Sequence, residues 1–455
     1  MRILLISPNT LVTPYPVYPI GLDYVAGCLA ADHQVRIADR NALSLAELEE
    51  LLRDFAPEVI GLSCRNIDNT EAGDPLFFID EYRRLVLWLR ERTPAVLVCG
   101  GSGFTIMPER IFAALQVDYG IIGEGERFAL LVDALQQGKD PAHIPGVLSS
   151  RGTAELPAPW TGELARQFEP AAAHVDFYLR NGGMLNLQTK RGCSFRCIYC
   201  PYPHIEGKRH RLTPPEEVAR TAMELQAAGA KYLFLTDSAF NSDVAHSIAV
   251  ARAFKKAGLA IPWGGFFAPT QLPPDYFSLM ADAGLKHVEF GTESLSATML
   301  ANYRKPFSPA EVVVAHQQAR KARVQVAHYL LLGGPGESPA TVSETLDLLE
   351  QLDRAVFFFF IGVRIYPFTA LYDLALDEKK IAPDTDLLHP VFYEADAIDR
   401  AAIEAMVTAR AGKRGNWIIG SGPAENAAMV RKMHERGRSG PLWEYLAERP
   451  SAPGK

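Results

Sequence analysis

Short apolar runs alternate with helical hydrophobic spacing along most of the chain. RILLIS near the start is apolar and ends at Pro8, and GLDYVAGCLAA places Leu22, Val25 and Leu29 on one helical face. QVRIAD, VIGLSC, AVLVCGG and YGIIGEGE read as further strands. LAELEELLRDF, closed by Pro57, DEYRRLVLWLRER and PERIFAAL read as the helices between them. This βαβα alternation predicts an α/β fold with a doubly wound, Rossmann-like parallel sheet over residues 1–140. Such sheets take ligands beyond the carboxyl ends of their strands. Those ends fall at residues 7–10, 63–69, 100–105 and 123–126.

Residues 141–183 lose the rhythm and carry Pro141, Pro145, Pro157, Pro159 and Pro170, which predicts a linker. Over residues 184–384 the alternation returns. Strands are expected at LNLQT, YLFLTD, WGGFFA, HVEFGT, QVAHYLLLGG and VFFFFIGVRIYP. PPEEVARTAMELQAAG carries a stripe of Val218, Ala222 and Leu225 and ends at Gly229, a C-terminal cap. Six such βα units predict a partial (β/α)6 barrel whose chemistry sits at the carboxyl ends of its strands. Residues 385–455 read as helical and loop-like, AAIEAMVTARAG being the clearest helix, and are expected to cover the barrel mouth.

Composition narrows the class. Hydrophobic residues make up 48% and charged residues 22% of 455, ordinary for a soluble globular protein. A net charge of -7 supplies no global field for nucleic acid, so a nucleic-acid partner is not favoured. The amino-terminal apolar run is too short for a signal peptide, and no run approaches the ~20 residues of a membrane span. A cytoplasmic location with reduced thiols is the expectation. Half of the six cysteines lie within eight residues, in RGCSFRCIYCPYP, which argues for a metal rather than a disulfide framework.

Those three are Cys193, Cys197 and Cys200. Three thiolates can hold a [4Fe–4S] cluster with one iron left open. A zinc site completed by His204 or His210 is the alternative. The spacing C-x3-C-x2-C, with the aromatic Tyr199 before the last cysteine, resembles the radical S-adenosylmethionine (SAM) superfamily. The resemblance implies that the open iron chelates the methionine part of SAM and that one electron, from a donor such as flavodoxin or ferredoxin, cleaves the sulfonium. It also implies SAM-binding roles for Asp237 and Ser238 in LTDSAF (amino group) and Glu293 in FGTES (ribose). Gly333 and Gly334 in LGGPGES would lie against the base, and Arg364 would pair with a carboxylate of SAM or substrate. RIYPFTALYDLA resembles the R-x-x-P-G-T-x-L segment of cobalamin-linked relatives, with Phe368 where Gly is usual. The basic KRHR at 208–211 reads either as a solvated face or as an anion-handling patch.

A parallel sheet ahead of such a barrel resembles the cobalamin-binding class, through GLSCRNIDN, CGGSGFTIMPE and IIGEGE. The resemblance implies that Ser63 and the pair Gly100 and Gly101 hold the nucleotide tail, with Thr105 and Glu124 alongside. The D-x-H-x-x-G loop is absent, so Arg65 is expected to face the lower side of cobalt. A cobalamin-dependent C-methyltransferase follows. Its deoxyadenosyl radical would take hydrogen from an unactivated carbon of a small-molecule or lipid-like substrate, and the methyl would come from methylcobalamin. Ring contraction, cyclisation, a two-cluster methylthiotransferase acting on tRNA (through Cys28, Cys64 and Cys99) and a cobalamin sensor are the other readings.

Overall fold

A computed structural model describes residues 1–12, 15–29, 31–152, 155–162, 164–420 and 432–447. The amino-terminal sheet contains β1 (Arg2–Ser7), β2 (Gln34–Asp39), β3 (Val59–Ser63), β4 (Val96–Gly100) and β5 (Tyr119–Ile121), with β6 (Val147–Leu148) at its edge. Their order is β2-β1-β3-β4-β5-β6. The first five pair in parallel and β6 pairs antiparallel to β5. The doubly wound sheet is as expected, but its antiparallel edge comes from the stretch expected to be linker. Val147 and Leu148 are buried against β5, and this pairing covers an otherwise open edge. The order reverses on either side of β1, and ligands of open α/β sheets bind at such reversals.

The second sheet contains β7 (Met184–Leu187), β10 (Tyr232–Leu235), β11 (Trp263–Phe267), β12 (Leu285–Glu293), β13 (Gln325–Leu332), β14 (Ala355–Ile361) and β17 (Trp417–Ile419). Every pairing is parallel and the sheet does not close. Two ribbons flank it: β8 (Lys190–Arg191) with β9 (Arg211–Leu212), and β15 (Val363–Arg364) with β16 (Phe392–Tyr393), both antiparallel. Val288, Phe290 and Leu330 on the outer face pack into the largest core, together with the helices. Phe234, Phe266, His287, Glu289 and Tyr329 lie on the inner face. Gly264 on that face is small for a reason: a Cβ there would meet the His287 ring at 2.2 Å.

The carboxyl-terminal segment departs from expectation. Arg400–Ala411 is the expected helix, but β17 adds a seventh strand to the barrel sheet. Trp443 and Glu444, at the start of the short helix Glu444–Ala447, close the barrel floor rather than its mouth. Trp443 donates to Glu289 at 2.9 Å, and Glu444 reaches His287 at 2.8 Å. Both partners lie in the first half of β12, away from its carboxyl end, so their contacts fix the tail below.

Buried ion pairs join the two sheets. Glu124, after β5, accepts from Arg191 at 2.9 Å, from Arg211 at 2.6 Å and from the Trp160 amide. Arg166 pairs with Asp23 at 2.9 Å and Arg364 with Asp68 at 2.9 Å. Burial pushes Asp23 up to about 6, against Arg166 and the Tyr18 hydroxyl, which pull it down.

Glu124→Ala leaves Arg211 without a carboxylate partner and Arg191 with Glu126 alone at 2.7 Å, and breaking a buried ion pair in this way costs about 3–5 kcal/mol. The expected outcome is a lower urea midpoint and faster proteolysis between residues 150 and 165. A second prediction concerns acid. Burial lowers His174 and His316 from 6.5 to about 4, so both fold as neutral imidazoles. Their contribution is complete above pH 6.5 and is lost as pH falls from 6.5 toward 4. The change in urea midpoint on going from pH 7.5 to pH 5 is expected to be less unfavourable in His174→Gln than in the wild type, Asp23 acting with the opposite sign in both.

Candidate active site between the two sheets

The cysteine loop follows β7, the first barrel strand, at its carboxyl end. Gly192 opens it with φ +86, and a Cβ there would meet the Arg209 carbonyl oxygen at 2.1 Å, so only glycine lets the loop fold against 207–209. Cys193 is buried, and Cys197 and Cys200 are partly so. Burial raises all three thiols, Cys200 to about 12. The Ser238 hydroxyl hydrogen-bonds Cys193 and pulls its thiol back down, as does the nearby Lys305. Buried thiols near a cation need a metal to stabilise their thiolates.

Among the described residues no three His, Cys, Asp or Glu side chains converge as one ion requires. A cluster does not ask for that, because each thiolate binds its own iron. The two histidines that might complete a zinc site are engaged elsewhere. His204 stacks on Phe368 at 4.3 Å, and His210 meets the Ser242 hydroxyl at 3.1 Å. The donor set therefore fits a cluster better than zinc. When bound, a cluster with an open iron supplies one-electron chemistry to SAM.

Glu293, Tyr199 and Lys305 form a triad beside these thiols. The Glu293 carboxylate accepts from the Tyr199 hydroxyl at 2.7 Å and from Lys305 at 2.8 Å. Glu293 has φ +59, and the pairing of β12 with β13 shifts register between Gly291 and Glu293. Such an irregularity re-aims a side chain. Burial lowers Lys305, but Glu293, Cys197 and Cys200 more than offset it, so the ammonium is held charged. Lys305 carried no motif signal in the sequence; only folding brings it to the loop.

Other SAM-assigned residues have different partners. Asp237 is buried, accepts from the Thr189 amide and hydroxyl, and pairs with Lys190 at 2.9 Å. Arg364 pairs with Asp68 and donates to the carbonyls of Ile365 and Leu387. Buried partners already match both charges, which gives each a scaffold role in the fold. Gly333 has φ +88 and donates its amide to Glu337 at 3.2 Å. A Cβ on Gly334 would meet the Tyr303 hydroxyl at 2.3 Å, so packing alone requires glycine there. Phe368, where glycine was expected, keeps glycine's left-handed backbone at φ +64 and is 67% exposed. That conformation costs a non-glycine residue on the order of 1–3 kcal/mol.

At the opposing sheet, Ser63 and Gly100 end β3 and β4 side by side. Gly101 has φ +105, and a Cβ there would meet the Cys64 carbonyl oxygen at 2.7 Å. This leaves a shallow glycine edge with the Ser63 hydroxyl on it, a surface suited to a nucleotide tail. Arg65 follows, and its guanidinium makes no ion pair or hydrogen bond among the described residues. Thr105 and Glu124 do not share this role. The Thr105 hydroxyl braces Gly101 and Gly123, and Glu124 is the interdomain hub. Cys64 and Cys99 are free thiols that share a hydrogen bond in the core, and Cys28 caps the first helix, so the three are not gathered as a second cluster set.

The two edges meet: the helix Tyr202–Ile205, past the cysteine loop, contacts the helix Ser102–Ile106 that follows the glycine edge, and Tyr202 is 40% exposed there. The His204 ring bonds the Thr105 backbone across the interface. An open parallel barrel with a three-thiol loop, facing a second parallel sheet across a shared cleft, defines a two-cofactor α/β enzyme. The family models agree: residues 187–349 match the radical SAM superfamily and residues 6–132 the B12 binding domain. The chain thus carries a radical SAM domain, with a B12-binding domain ahead of it.

Relatives extend this. The tryptophan 2-C-methyltransferase of Streptomyces laurentii is 26% identical over 445 residues, covering 81% of this chain and 73% of its own length. An uncharacterized methyltransferase of Pyrococcus horikoshii is 27% identical, covering 83% of each. Among solved structures, the radical SAM methyltransferase TsrM of Kitasatospora setae, with cobalamin and a [4Fe–4S] cluster bound, superposes with a TM-score of 0.84. That match covers 98% of this chain and 97% of that one at 21% identity.

Asp237→Asn separates a scaffold role from SAM binding. Loss of the Lys190 partner is expected to cost about 3 kcal/mol of stability. SAM affinity in the surviving holoenzyme is expected to stay within about threefold of wild type, measured by equilibrium dialysis.

Proposed function

We propose that this chain is a cobalamin-dependent C-methyltransferase, in which SAM is the methyl source and a carbon of a small organic molecule the acceptor. The observation that carries the reading is the juxtaposition of the two edges: the helix Tyr202–Ile205 past the thiol loop packs on the helix Ser102–Ile106 past Gly100 and Gly101. A cluster held at 193, 197 and 200 and a corrin held over Ser63, Gly100 and Gly101 then look into one volume. The methyltransferase names of the relatives support the same reaction class. Cobalamin, when bound, supplies a methyl carrier between SAM and the acceptor.

Within this reading the chain's residues divide the work. Ser238 and Lys305 stabilise the thiolates, and Glu293 with Tyr199 presents a carboxylate beside the open iron. Arg65 would lie beside a corrin held over this edge, and its guanidinium, which donates no lone pair, would supply the metal with no ligand. The electron for the cluster comes from a small donor protein of the flavodoxin or ferredoxin kind.

The test is anaerobic reconstitution with iron, sulfide, cobalamin and methyl-labelled SAM under a low-potential reductant. The expected result is label on cobalt, followed by label on carbon of an added acceptor, with 5′-deoxyadenosine reporting radical turnover. Label that never leaves SAM sinks the proposal. Arg65→His is expected to introduce an imidazole ligand visible in the cobalamin spectrum, whereas wild-type protein shows none.

A further inference from the structure

The barrel interior holds a carboxyl group that none of the roles above uses. Glu289, on the inner face of β12, is fully buried. One of its oxygens accepts from the Trp443 indole at 2.9 Å, the other from the Tyr329 hydroxyl at 3.0 Å. No lysine or arginine pairs with it among the described residues. Its nearest titratable nitrogen, Nε2 of His287, stands 3.6 Å away and has no hydrogen-bond partner. Burial raises Glu289, with His287, Trp443 and Tyr329 pulling it back and Glu444 pushing it further up. A carboxylate here lacks a positive partner, and a buried charge without one is costly.

Aromatic rings line the inner face of the barrel beside it. Tyr15, from the loop after β1, reaches across the domain boundary to Phe234 at 6.1 Å. Phe234 meets Phe266 at 5.2 Å, Phe266 meets Tyr329 at 6.3 Å, and Tyr329 meets Phe360 at 6.2 Å. Phe266 is 37% exposed although it points into the barrel, so this ring borders open space rather than packed core. Tyr15 is perturbed by both Glu289 and Arg65, which places the cage next to the cleft described above. The pieces match one ligand chemistry. Ring faces attract a cation through their quadrupole, by about 0.5–2 kcal/mol each according to solvation, and a buried carboxylate adds the counter-charge.

We propose that this cage binds the cationic nitrogen of the methyl acceptor, so that the acceptor is a small amine carried as its ammonium form. The inference rests on the methyltransferase reading for the word acceptor, but not for the binding site itself. Trp443 sets the cage floor and links acceptor binding to the carboxyl-terminal tail.

The test is equilibrium binding to the reconstituted holoenzyme with SAM saturating throughout. Phenethylammonium, neutral 2-phenylethanol and anionic phenylacetate serve as probes of similar bulk. The ammonium is expected to bind at least tenfold more tightly than the alcohol, with the carboxylate weakest. Glu289→Gln is expected to bring the ammonium and the alcohol to parity. Because Glu289→Gln disturbs a buried bond, Phe266→Ala serves as the second variant. It removes a partly exposed wall with no hydrogen bond and is expected to weaken the ammonium several-fold at unchanged thermal midpoint. Equal affinities for all three probes, retention of the ammonium preference in Glu289→Gln, or displacement of the ammonium by excess SAM overturns the proposal. Methylation of cobalt by SAM needs no acceptor. Cobalt that stays unmethylated beside an intact ammonium preference defeats the methyltransferase reading alone, and the converse defeats only the cage.

Discussion

The cleft depends on one buried carboxylate, Glu124, which binds Arg191 and Arg211 at once. The two arginines lie on the β8–β9 ribbon that flanks the cysteine loop, and Glu124 lies on the loop leaving β5. These contacts fix the glycine edge of one sheet against the thiol edge of the other. Neither edge contains a complete site alone. A ligand spanning the cleft needs both held at a constant separation, and ion pairs shielded from water hold it more firmly than exposed ones do.

Charge in this protein is consumed in layers. Asp23, Asp68 and Asp237 are buried and paired with Arg166, Arg364 and Lys190, so they maintain the frame. Lys305 and Glu293 are paired but border the thiols, where they set the field in which the cluster would sit. Among the described residues neither Arg65 nor Glu289 has a salt bridge to Lys, Arg, Asp or Glu; Arg65 follows the glycine edge, and Glu289 lies deeper, on the inner face of β12 beside His287.

Sequence reading and structure part company at identifiable places. Val147 and Leu148 form a short edge strand whose two residues are too few to give an alternating pattern. Residues 417–419 likewise add a strand inside a segment whose composition read as helix and loop. Asp237, Arg364 and Glu124 stand at strand ends, where ligand-binding acids and bases are also found. Only the positions of Lys190, Asp68 and Arg191 show that their charges are already matched.

Local chemistry is what the sequence by itself determined. Periodicities of 2 and 3.6 set the βα order, glycine positions set the tight turns, and the spacing of Cys193, Cys197 and Cys200 set the thiol loop. Each of these operates within a few residues, so each is written in the order of the chain. The cleft, the Glu293–Lys305 pair and the aromatic cage around Glu289 were decided by tertiary structure alone. Their members lie far apart in sequence, from Tyr15 to Trp443, and they meet because burying apolar strand faces leaves the packed sheets little choice of where their polar inner residues point.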